Sequence, residues 1–134
     1  MGKARVGAKA PQITLDAGAL IAIDRGDRRM LSLLDQALAQ GGRFQVPAGA
    51  LGQAWRDGRR QATLARFTRS TEVLVIPLDD DLSRACGELL AATGTSDVID
   101  ASVVLVALSR QASIITSDVK DLARLDPKAA LVKI

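Results

Sequence analysis

Ile13-Thr14-Leu15-Asp16-Ala17-Gly18-Ala19-Leu20-Ile21-Ala22 sets an aspartate between a β-like apolar run and a helix-like one. The arrangement recurs about a hundred residues later, where Ser113-Ile114-Ile115-Thr116-Ser117 runs into Asp118. Between the two, Asp97-Val98-Ile99-Asp100 opens a further apolar stretch of helical character. In an open parallel sheet, ligands bind beyond the carboxyl ends of the strands, so acids far apart in sequence can converge at one edge. Clustered carboxylates repel one another, and a bound divalent cation relieves that repulsion. The pattern points to a small metal-dependent enzyme.

The rest of the chain narrows the chemistry. It has 134 residues and 48% hydrophobic content, enough for one domain with a real core, expected over residues 11–134. Residues 1–10 are expected to be a disordered start, because no apolar signal core follows Lys3, Arg5 and Lys9. Cys86 is the only cysteine, which excludes an intrachain disulfide and fits a reducing cytoplasm. It is expected to be buried and structural. No stretch approaches the ~20 apolar residues of a membrane span. With two Phe, one Trp and no Tyr, base stacking is not a main binding mode. The net charge of +3 permits a polyanionic partner. Histidine is absent, which removes Ser-His-Asp and Cys-His catalysis and most catalytic zinc sites. Carboxylates remain to carry any chemistry.

Short apolar runs alternate with helical patterns throughout. Strands are expected at 12–16, 43–46, 73–76 and 113–116, with a last edge strand at 131–134. Helices are expected at 17–24, 28–40, from Pro47 to about Arg56, at 59–68, after Asp79-Asp80-Asp81 to about Thr93, from Asp97 to about Ser109 with Ser96 as N-cap, and at 119–125. This alternation indicates an α/β fold with a parallel sheet.

Asp16 and Asp118 each leave a strand where a helix begins. Asp97 and Asp100 share a face in the first turn of theirs. Helix N-termini favour acids, so any one of the four could be a cap. Asp16 follows an apolar strand directly, and Ala17-Gly18-Ala19 leave open space around it. Together the four read as a shared site. Oxygen-only ligands suit Mg²⁺ or Mn²⁺, ions that activate water and clamp a phosphate, so phosphodiester hydrolysis is the natural reaction class.

From about Ile13 to Ile134 the chain resembles the PIN-domain ribonucleases, in particular VapC-type toxins of toxin–antitoxin pairs. The stretch 13–22 resembles that family's first strand, acid and helix. Asp100-Ala101-Ser102-Val103-Val104 resembles its Asp-Ala helix start. Ile114-Ile115-Thr116-Ser117-Asp118-Val119-Lys120-Asp121-Leu122 resembles its closing motif. The resemblance implies a three-layer PIN-like fold, with a central, mainly parallel sheet of four to five strands flanked by helices. It implies Asp16, Asp100 and Asp118 as metal ligands, with Asp97 an extra catalytic acid. Asp121, one turn beyond Asp118, would contribute indirectly or lie on the helix surface. It also implies an RNA substrate, a homodimer and a cognate antitoxin.

The sequence departs from the family at one corner. Its second acid is usually a Glu a few residues after Val-Pro; after Val46-Pro47 the corresponding residue here is Gln53. An amide keeps one carbonyl ligand but loses a charge, and Asp57, one turn further on, is a possible substitute. Two readings follow: a ribonuclease with lowered metal affinity, or a catalytically silent PIN-like module that binds a protein partner or RNA.

Other features admit two readings each. Arg56, Arg59, Arg60, Arg66 and Arg69 are either a solvated helix face or a phosphate-contact surface. Trp55 suits core or dimer packing better than base stacking. Thr116 and Ser117 could orient Asp118 or a bound water, or simply satisfy backbone groups. Asp79-Asp80-Asp81 suits helix capping better than a metal cage. A phospho-receiver fold is set aside because Asp16 has no acidic neighbour.

Overall fold

The computed structural model describes residues 10–134. The expectation of a disordered start therefore falls, Ala10 apart, outside the described residues. Five strands, β1 (Gln12–Leu15), β2 (Arg43–Pro47), β3 (Val73–Ile76), β4 (Ser113–Thr116) and β5 (Leu131–Lys133), form one sheet in the order β3-β2-β1-β4-β5. Every pairing is parallel. Seven helices connect and flank them: α1 (Ala17–Asp24), α2 (Arg28–Ala39), α3 (Ala48–Ala54), α4 (Ala62–Arg69), α5 (Asp80–Thr93), α6 (Val98–Arg110) and α7 (Val119–Leu125).

The chain first winds from β1 outward to β3, then returns past β1 to β4 and β5. Right-handed crossovers place the helices of the two windings on opposite faces of the sheet. Contacts agree: α1 packs on α2, α3 and α4, while α5, α6 and α7 pack on one another and α6 lies against β1, β2 and β4. The winding reverses between β1 and β4, and an α/β sheet opens a crevice at such a point.

The core follows from the short apolar strands and the buried stripes of the helices. Leu15, Leu20, Phe44, Leu64, Val103 and Leu122 are fully enclosed. Cys86 is buried among these apolar side chains, which pushes its thiol pKa up, as a structural cysteine requires. One polar pair interrupts the core. The Thr14 hydroxyl donates to Gln45 Oε1 at 3.1 Å, and Gln45 Nε2 donates to Gln12 Oε1 at 2.7 Å. This satisfies a buried amide across the β1–β2 seam.

Most boundaries fall within a residue of the sequence expectations, and three differences bear on the site. The helix after Pro47 ends at Ala54 rather than Arg56, because Trp55 is already extended (φ −80°, ψ 129°). The basic helix starts at Ala62, not Arg59. Residues 55–61 instead fold around one side chain: Gln61 Oε1 accepts the Arg56 and Asp57 amides at 2.7 and 2.9 Å, and its Nε2 donates to the Ala54 carbonyl. Asp97, not Ser96, is the N-cap of α6. Its Oδ1 accepts the Ile99 and Asp100 amides, both at 3.0 Å, and an anion at a helix N-terminus outcompetes a neutral hydroxyl. Asp79 caps α5 by accepting the Leu82 amide at 2.9 Å, as expected of that acidic run.

Candidate metal centre

Asp16 and Asp118 mark the carboxyl ends of β1 and β4, the two strands that flank the reversal in winding. The Asp16 amide donates to the Ile115 carbonyl, extending the β1–β4 seam one residue past the strand. Each aspartate also caps the helix that follows: Asp16 Oδ1 accepts the Ala19 amide at 2.8 Å, and Asp118 Oδ1 accepts the Asp121 amide at 3.4 Å. Capping and site membership are therefore not alternatives here. Both aspartates cap with one oxygen and also line the crevice.

That crevice has a volume of about 230 Å³ and is lined by Asp16, Gln53, Asp97, Asp100, Asp118 and Asp121, with Ala17, Gly18, Ile99, Val103 and Ser117 between them. Asp100 enters from the first turn of α6 and Gln53 from α3. These helices meet where Ile99 packs on Gly49. One carboxylate oxygen each from Asp100, Asp118 and Asp121 lie within 4.8 Å of one another. Asp121, expected to contribute indirectly or to lie on the helix surface, does both: it is exposed and belongs to this acidic group.

The electrostatics match this crowding. Burial and then the carboxylates of Asp97, Asp118, Asp121 and Asp16 push the Asp100 pKa up to about 6. Asp16, only 7% exposed, is raised chiefly by burial; hydrogen bonds from the Thr116 hydroxyl and the Ala19 and Ser117 amides pull it partly back. Hydrogen bonding with Asp118 raises Asp121. Thr116 Oγ1 also accepts the Asp118 amide at 2.7 Å, so the residue that lowers the Asp16 pKa also holds the backbone of Asp118. All-oxygen donors in a polar crevice fit a hard divalent cation.

The basic stretch is placed differently. Asp57 does not line the crevice: once α3 stops at Ala54, its carboxylate turns to the Arg59 amide and lies 3.8 Å from Arg60. Arg56 donates to the Gly52 and Trp55 carbonyls, closing the end of α3. Arg59 and Arg60 are exposed, and Trp55 is 36% exposed against Gly58, so Trp55 is not a core residue. Nor is the space beside Asp16 open. Ser117 fills the gap left by Gly18, a packing that the two distant tripeptides do not announce.

No family model matches the sequence, and no curated protein matches it. Solved structures do. A VapBC complex of Rickettsia felis bound to a promoter DNA fragment superposes with a TM-score of 0.68 at 18% identity, over 92% of this chain and 98% of that one. A sarcin-ricin loop cleaving VapC toxin of Mycobacterium tuberculosis gives 0.59 at 20% identity, over 78% of this chain and 87% of that one. A further VapBC-family structure from M. tuberculosis gives 0.53 at 26% identity, over 94% and 98%. The chain has the PIN-type fold of the VapC toxins. Within that PIN fold the acidic crevice sits at the reversal of strand order, where an open α/β sheet binds its ligand.

Proposed function

We propose that this chain is a metal-dependent endoribonuclease that hydrolyses RNA phosphodiester bonds, the toxin of a type II toxin–antitoxin pair, acting in the cytoplasm as one PIN-like domain over residues 11–134. The observation that carries the reading is the convergence of Asp16, Asp100, Asp118 and Asp121 in one crevice at the switch point of a PIN-type fold. Asp16, Asp100 and Asp118 hold Mg²⁺ or Mn²⁺, and Asp121 closes the group. Asp97 keeps one oxygen on its own helix and turns its remaining charge toward the crevice. A divalent ion there lowers the pKa of a bound water and stabilises charge on the scissile phosphate.

The exterior suits the substrate. Five of the fifteen acidic residues line the crevice, so the remaining surface is more basic than the net charge of +3 suggests. Arg59 and Arg60 are exposed, with Arg60 only loosely paired to Asp57 at 3.8 Å, and both are assigned to RNA phosphates. Arg56, already occupied with carbonyls, shapes the loop. An antitoxin partner completes the reading, supported by solved VapBC complexes of the same fold, and a homodimer is proposed with it.

Purified protein is expected to cleave structured RNA with Mn²⁺, to stop with EDTA, and to lose at least about a hundredfold in rate on Asp100→Asn. Undiminished cleavage by that variant sinks the assignment. Gln53 favours a second reading, a silent module that binds a protein or RNA, because an amide stands in the crevice where a fourth charge would serve. Gln53→Glu separates the two: if cleavage appears only in the variant, the natural chain is silent.

A further inference from the structure

Gly18 and Ser117 come from opposite ends of the sequence and meet in the wall between Asp16 and Asp118. A methyl group at position 18 would collide with Ser117 Oγ and lie 2.9 Å from Ser117 Cβ. Rotating the hydroxyl away removes the first clash. The second involves Cβ, which moves only with the backbone. That backbone belongs to the site: the next amide, of Asp118, donates to Thr116 Oγ1 at 2.7 Å, and the Ser117 amide lies near enough to the Asp16 carboxylate to favour its charged form slightly. A carbon at position 18 would otherwise meet only ordinary contacts, with Asp16 Oδ1 at 3.5 Å. Gly18 has no positive φ to explain its identity, unlike Gly26, Gly41 and Gly94. Close approach is what excludes a side chain there.

We propose that Gly18 is a positioning residue of the metal centre, because the space it leaves lets Ser117 seat the Asp118 arm against Asp16 at the separation that metal binding requires. This rests on the metal-dependent reading above. Its signature is a coupling between two positions, not the loss caused by either one alone.

The test uses the full chain as wild type, Gly18→Ala, Ser117→Gly and the double variant, each titrated with Mn²⁺ by calorimetry and melted without metal. Gly18→Ala is expected to weaken Mn²⁺ binding about tenfold when Ser117 is present and less than about twofold when residue 117 is glycine. Equal weakening in both backgrounds, or none in either, overturns the interlock. So does a Gly18→Ala protein that melts earlier but, once folded, binds Mn²⁺ as the wild type does. If Gly18→Ala does not fold, the double variant decides: folding with Mn²⁺ bound supports the interlock, and failure of both overturns it. A wild-type chain that binds no Mn²⁺ overturns it together with the metal-dependent reading. One that binds Mn²⁺ but cleaves no RNA sinks only the ribonuclease reading.

Discussion

Burial first, and then four neighbouring carboxylates, hold the Asp100 pKa at about 6, against an ordinary 3.8. Between those values the folded chain keeps a proton that the unfolded chain has released. Stability therefore falls as pH rises through that window, and the repulsion is fully present above it. Asp16 and Asp121 shift in the same direction. Calorimetry of the metal-free protein is expected to give a higher melting temperature at pH 5 than at pH 7.5. Asp100→Asn should raise the value at pH 7.5 by about 3 °C and flatten the profile. A melting temperature that climbs from pH 5 to 7.5 contradicts the account. Because a metal must displace this proton, Mn²⁺ affinity should also weaken as pH drops through about 6.

At the scale of elements, the loop after α3 hangs on Gln61. Gln61→Ala leaves two amides and one carbonyl without their partner, and water replaces part of what is lost at this half-exposed site. Urea unfolding should show a loss of about 1 kcal/mol, with Mn²⁺ binding retained and RNA binding weakened because the loop carries Arg59 and Arg60. Unchanged RNA affinity in Gln61→Ala would argue against phosphate contacts from this loop.

The same loop marks where sequence reading stops. The alternation of short apolar runs with helical patterns reveals α1, β3, β4 and α7 to their boundaries, because proline, glycine or a capping aspartate punctuates each of them. The end of α3 has no such mark. Side-chain bonds from Arg56 and from Gln61, seven residues past Ala54, close it, and no helix propensity encodes those contacts. The acids at strand ends were legible for the same reason as the strands. The Gly18–Ser117 contact and the seating of Asp121 were not, since both depend on how α1 and α7 lie beside the β1–β4 seam.

For the molecule as a whole, the crevice concentrates negative charge in a chain that is otherwise basic, with a pI near 9.5. Two opposing salt and ion effects follow. Mn²⁺ at a thousand times its dissociation constant should stabilise the fold by about 4 kcal/mol, seen as a rise in melting temperature that Asp100→Asn removes. RNA binding should weaken steadily as monovalent salt rises, since phosphate contacts release counterions. Salt-independent RNA affinity would argue against a phosphate-tracking exterior.

The central place of β1 in the sheet ties function to the order of synthesis. A growing chain can pair β1 with β2 and β2 with β3 before β4 exists, yet Ser117, Asp118 and Asp121 of the crevice wall follow β4. A chain stopped before Ser113 holds Asp16, Gln53 and Asp100 without Asp118 and Asp121, so the acidic group cannot close until β4 and α7 are added. A fragment ending at Gln111 should accordingly bind no Mn²⁺ in titration, and regain binding only when the missing segment is supplied.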